Sequence, residues 1–242
     1  MIEQIPFVAL CGDPGAGKST AAEILAERYG TVTVDDGQAL RMVAVLFLGA
    51  THEDVHTAEG KARKAHWPDG EPIVDVENGE HLTWRQVLGR LGDKLEELLG
   101  THALPRIAVN SLRDANGDLA PGVTYVFPSC RKDQGWYYKD EGGIVLGLRN
   151  PEIRPSGNAF DRFDHAAVDA WVGNRASAGR VYLAAGLESA LREALDQPYS
   201  EAHHEGVDPL SPARGILNAA LITGAAVLVG CALGWALPLL GL

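Results

Sequence analysis

The 242-residue sequence predicts an α/β protein: a parallel sheet of the phosphate-loop type with helices on both faces, plus a C-terminal transmembrane helix. Three observations predict it. A short apolar run ends in a glycine-rich loop that opens a helix. Apolar runs and helical stretches then alternate along the chain, and residues 216–242 carry no charge.

The run at 7–11, "FVALC", is short, apolar and stopped by Gly12, which suits a buried parallel strand. Gly12-Asp13-Pro14-Gly15-Ala16-Gly17-Lys18-Ser19 fits G-x-x-x-x-G-K-[ST] at every fixed position, and Thr20 continues into a helix-forming run over 18–28. Glycines let the backbone turn its N–H groups toward one point, and the first helical turn adds unpaired donors and a positive dipole end. That point attracts phosphate. Lys18 would reach the terminal phosphates of ATP as a point charge, and the Ser19 hydroxyl would sit on Mg²⁺.

A second short strand is expected at 31–34, ending in Asp35-Asp36, then a helix at 38–48. Residues 51–81 are polar with Gly and Pro and read as an excursion outside the core. Residues 83–99 read as a helix, because Leu88, Leu91, Leu95, Leu98 and Leu99 recur at helical spacing. Strands follow at 123–127, 143–148 and 170–172, and a helix at 181–195 closes the domain 1–196. In such sheets ligands bind beyond the carboxyl ends of the strands, where the glycine loop meets Asp35-Asp36.

All 21 Lys+Arg and all 32 Asp+Glu lie at or before Arg214, so the net charge of −11 belongs to that part. An acidic domain repels a nucleic acid backbone, which argues against a helicase or translocase. Cys11, Cys130 and Cys231 form no metal-type spacing and fit a reducing compartment. The first strand starts within six residues of Met1, leaving no room for a signal peptide, so the catalytic part is expected in the cytoplasm. His52 and His56 have i, i+4 spacing but no third ligand, and read as a solvated face. A linker at 197–215 leads to the apolar tail at 216–242. Its 22 residues before Pro238 would span about 33 Å as a helix, enough to cross a hydrocarbon core of about 30 Å. Gly230 and Gly234 form a G-x-x-x-G through which two chains could pair as a homodimer.

Phosphate-loop proteins divide into kinases, motors and switches. The strand at 123–127 runs into Pro128-Ser129-Cys130-Arg131 with no acid at its end, unlike a hydrolytic motor. A kinase needs cations around donor and acceptor phosphates, because transfer works by positioning and charge stabilisation. Arg41, Arg63, Arg85 and Arg131 fall near loop-facing ends in a chain short of cations.

The order of segments resembles the bacteriophage deoxynucleoside monophosphate kinases over about residues 5–195. Besides the loop, the likeness rests on "DDGQALRMVAVLF" (35–47), "LTWRQVLGRLGDKLEELLG" (82–100), "CRKDQGWYYKDEGGIVLGLRNP" (130–151) and "FDHAAVDAWVGN" (163–174). The resemblance implies a kinase-type fold and transfer of the ATP γ-phosphate to a deoxynucleoside 5′-monophosphate. In it Arg41, Arg85 and Arg131 clamp the acceptor phosphate and the transferred group, with His165 on the substrate side. Asp35 or Asp36 orients the acceptor sugar or a metal-bound water, unless the pair simply caps the next helix. Asn174 reads the adenine edge or serves as a turn residue. The sequence departs from the family at Asp93, Lys94, Glu97 and Ser129, positions that in the family serve the acceptor side or Mg²⁺. A kinase for another small acceptor, or a membrane-tethered ATP-dependent switch, are the alternatives.

Overall fold

The computed structural model describes residues 2, 5–154 and 162–196. All belong to the unit Met1–Gln197. The elements run β1 (Phe7–Cys11), α1 (Lys18–Tyr29), β2 (Val32–Thr33), α2 (Gln38–Leu48), α3 (His52–His56), α4 (Ala58–Ala62), α5 (Trp84–Leu99), α6 (Ala103–Asn110), β3 (Tyr125–Phe127), α7 (Gln134–Asp140), β4 (Ile144–Arg149), β5 (Ala170–Gly173) and α8 (Gly179–Asp196).

Among the described residues the strands form one sheet in the order β2-β3-β1-β4-β5, every pair parallel. β1 is central, and Val8 is in register with Val126 on one side and Ile144 on the other. All five of its residues are buried because strands flank both edges and helices cover both faces. Alternation sorts them. Val8 and Leu10 join Ile24 and Leu25 of α1 and Leu183 and Leu187 of α8, whereas Phe7, Ala9 and Cys11 join Val109 of α6 and Tyr137 and Tyr138 of α7. The expected parallel sheet with helices on both faces is therefore the observed one.

Residues 51–81 correct one expectation. Thr51 and Asp54 close a capping box on α3, and Thr57 caps α4. Single antiparallel bridges then join Lys64 to Thr83, His66 to Pro72 and Val74 to His81. Val55, Ala65, Ile73 and Leu82 bury themselves with Ala44 of α2 and with Trp84 and Val87 of α5, so the segment has an apolar core of its own. α5 starts at a second capping box, Thr83 with Gln86. Its apolar stripe is shorter than the leucine spacing implies: Leu88 and Leu91 pack, but Leu98 is 79% exposed.

The fold class also needs correction at its end. No helix among the described residues is long and apolar enough to cross a membrane. The long closing helix α8 carries Arg180, Glu188, Arg192, Glu193 and Asp196, which hydrocarbon would not accept. The transmembrane helix, the pairing motif at Gly230 and Gly234 and the anchored location were all expected of residues beyond 196, which lie outside the described residues.

Candidate functional site

The loop between β1 and α1 takes its shape from glycines at positive φ: 144° at Gly12, 84° at Gly15 and 97° at Gly17. A Cβ on Gly12 would lie 2.5 Å from the Leu148 carbonyl oxygen, so glycine is required by contact as well as by dihedral. Lys18, the first residue of α1, donates from its ammonium to the carbonyl oxygens of Gly12 and Asp13, the latter at 3.0 Å. Its charge is thereby stationed against the loop itself. Ser19 is exposed one residue further on.

The donor set suits Mg²⁺ brought in with phosphate oxygens. Mg²⁺ characteristically takes few protein ligands beside substrate oxygens, and Ser19 is exposed in the first turn of α1. The Ser19 hydroxyl would be such a ligand.

Asn174 lies beneath the loop. Its backbone N–H donates to Arg149 O at 2.7 Å and its side-chain amide to Ala16 O at 2.8 Å. It is buried, and a Cβ on Gly17 would come within 2.3 Å of its Nδ2. The amide therefore holds the loop backbone. His165 is exposed and stacks on Phe163 with ring centroids 4.7 Å apart, outside the cavity described next.

The other predicted residues converge. A cavity of about 360 Å³ is lined by Asp35 and Asp36 after β2, Arg41 on α2, Arg85 on α5, Ser129 and Arg131 after β3, and Lys61 on α4. The Cys130 N–H bonds Leu10 O at 3.2 Å, tying the wall after β3 to the strand that feeds the glycine loop. Arg41 is held by two contacts, an ion pair with Asp35 and a 3.0 Å bond from Nε to Val55 O. Neither Asp caps α2 with its side chain, because the N-cap is Gly37 and makes no side-chain cap bond. Asp35 instead accepts from Gly37 N at 3.0 Å. Arg85 and Lys61 have no ion-pair or hydrogen-bond partner among the described residues.

A second cluster sets Arg131. Gln134 accepts from the Arg131 N–H at 3.0 Å and donates to the buried Glu96 at 3.0 Å. Lys132 pairs with Glu96 and, at 2.9 Å, with Asp93. Lys132 itself has φ 47°, the left-handed region that a non-glycine residue avoids. Of the four departures from the family, Asp93 is thus part of the wall and Ser129 faces the cavity, while Lys94 and Glu97 form an exposed pair on α5.

The electrostatics follow from this crowding. Burial pushes the Asp36 carboxyl up to about 6, against the opposing pull of Arg131. Lys61 is pushed down to about 8, first by burial and then by Arg41, Arg85 and Arg131. A pocket with cations this close is poised for an anion. Lys61 and the Glu96, Lys132 and Gln134 cluster were missed from sequence, because the signals lay in short capped helices and in contacts distant along the chain.

Asp36 gives a pH prediction. With its carboxyl at about 6 instead of the usual 3.8, the native state holds more protons than the unfolded chain between those values. Stability therefore falls as pH rises through that window and is flat above it. Asp36→Asn removes the fall and gains up to about 3 kcal/mol over wild type at pH 7, a gain that vanishes below pH ~4. Urea denaturation from pH 4 to 8 reads this out, and parallel wild-type and variant curves would refute the assignment.

The fold and site define a phosphate-loop protein with a kinase-like parallel α/β sheet and a second, cation-lined cavity on the same sheet edge. No family model matches the chain. Over 78 residues it is 40% identical to a cytidylate kinase of Solibacter usitatus (strain Ellin6076), a stretch covering 31% of this chain and 33% of that protein. The chain thus spans about a third of the length of the curated relative it matches. A solved sugar kinase from Janibacter sp. HTCC2649 in unliganded form aligns over 78% of this chain and 96% of that one, at 15% identity and a TM-score of 0.30. At that score the likeness does not establish a shared fold. The sequence match supports a relationship to nucleotide kinases at that level and does not show the bacteriophage family.

Proposed function

We propose that the protein is an ATP-dependent nucleotide kinase that transfers the γ-phosphate to a nucleoside 5′-monophosphate, deoxynucleotides included. The observation that carries this reading is the pairing of two anion-seeking sites on one carboxyl edge of the sheet, the glycine loop and the cavity lined by Arg41, Arg85 and Arg131. A hydrolytic switch needs the first; only a transferase needs the second.

In this reading the loop N–H groups and Lys18 hold the donor phosphates, and Ser19 contributes a ligand to Mg²⁺. Mg²⁺, when bound, neutralises charge developing on the phosphate oxygens. Arg85 and Arg131 grip the acceptor phosphate in bidentate fashion, which their planar guanidinium groups favour. Arg41 is first released from Asp35, and that exchange makes the released carboxylate available to an acceptor hydroxyl. Asp36, ionised above pH ~6, takes a further hydroxyl or amino proton of the acceptor. Lys132, Glu96 and Gln134 keep Arg131 in place and exclude water from the wall.

The test incubates the full chain with Mg·ATP and each common ribo- and deoxynucleoside monophosphate, separating ADP and diphosphate products by anion exchange. Diphosphate from at least one acceptor is the expected result. ATP binding without any diphosphate would overturn the reading in favour of another small acceptor or a non-transferring ATP switch.

A further inference from the structure

The arginines of this reading sit on α2, α5 and the segment after β3, but a lysine also enters the same cavity from a different part of the chain. Lys61 lies on α4, whose placement is tightly fixed. A Cβ on the preceding Gly60 would fall 2.1 Å from Glu53 O, so α4 presses on α3 and Lys61 is delivered to the cavity wall.

The surrounding charges do not satisfy it. Arg41 from α2, Arg85 from α5 and Arg131 from the segment after β3 all repel it. His56 on α3 is itself held down by burial and then by neighbouring cations, Lys61 among them. Of the carboxylates in the cavity, Asp35 is taken by Arg41, and Asp93 and Glu96 by Lys132. Asp36 is buried and opposed chiefly by Arg131. Lys61 thus faces a cavity of its own sign with no ion-pair partner among the described residues.

We propose that Lys61 binds the dianionic phosphate of the acceptor and that, where its amine is neutral, binding draws a proton from solvent onto it. This rests on the kinase reading for the identity of the acceptor, though not for the presence of the anion site. The balance is simple: amine, proton and phosphate dianion combine into an ammonium–phosphate pair, with no bond to phosphorus made or broken. Because Lys61 stands at about 8, a large neutral fraction exists there at pH 8, and the arriving charge reverses the repulsion that created it.

Inorganic phosphate is the probe, titrated into the full chain by calorimetry at pH 8 in two buffers of different ionisation enthalpy. Wild type should take up roughly half a proton per phosphate bound at pH 8, where the free ion is already mainly the dianion. Lys61→Met should bind phosphate about 10- to 100-fold more weakly without that uptake. Lys61→Arg, charged at every pH, should bind well and also lose the uptake. Phosphate caught by the glycine loop is common to all three proteins and cancels in the comparison. Unchanged affinity in Lys61→Met, or uptake that persists in Lys61→Arg, would overturn the proposal; were the Met variant not to fold, the Arg variant decides alone. Lys61-dependent binding in a protein that phosphorylates no monophosphate would sink the kinase reading and keep this site. Transfer with an unaltered acceptor KM in Lys61→Met would do the reverse.

Discussion

Lys18→Ala lowers kcat for phosphoryl transfer by about 10³-fold or more while the protein melts within a few degrees of wild type. The two halves of this result have separate causes. Lys18 is part-exposed at the first position of α1, and its ammonium gives up neutral bonds to the Gly12 and Asp13 carbonyls. Alanine is the best helix former, so the net stability change stays near 1 kcal/mol. The transition state, by contrast, loses a full charge at the oxygens where negative charge accumulates, in a site whose other donors are fixed N–H dipoles. Lys18→Arg does not restore the rate, since a planar fork on a longer stem cannot place a point charge inside so close a loop. Retention of transfer within tenfold in Lys18→Ala would remove the loop from the chemistry.

The loop was legible in the sequence because its geometry leaves little choice of residue. Gly12 and Gly17 occupy positive φ with neighbours at 2.5 and 2.3 Å from any Cβ, and such constraints write themselves as invariably spaced glycines. β1 and the other core strands were legible because burial on both faces demands unbroken apolar runs. α6 and α7 were not. α6 carries Pro105 in its first turn, where the missing N–H has no helical partner to lose, so the residue that reads as a breaker is tolerated. α7, "QGWYYKD", is short, and its glycine and aromatics are weak helix formers made helical by packing on the sheet. α3 and α4 are each five residues long, below the length at which periodicity speaks, and only the caps at Thr51 and Thr57 mark them. Reading them as an excursion concealed Lys61. The opposite error occurred at α5, where leucine spacing continues past the point at which anything remains to cover it.

Arg131→Met should cost about 10²- to 10³-fold in kcat/KM for the acceptor at pH 7, and should move the acid limb of the pH profile upward. In the kinase reading the first effect is the loss of a charged fork on the acceptor phosphate. The second comes through Asp36, which burial raises and Arg131 is first among the opposing influences to lower. Without the guanidinium the main influence opposing burial is gone, and the carboxyl rises further. If ionised Asp36 accepts a proton-bearing group of the acceptor, the limb that stands near pH 6 in wild type then passes into the neutral range. A purely structural role for Arg131 would lower the rate at all pH values and leave the limb where it was. Asp36→Asn carries no such limb, so Asp36→Asn/Arg131→Met should lose less than the product of the single losses, with a coupling of about 1–3 kcal/mol. Strict multiplication of the two losses would show that Asp36 and Arg131 act on the acceptor independently, and the electrostatic link between them would have to be abandoned.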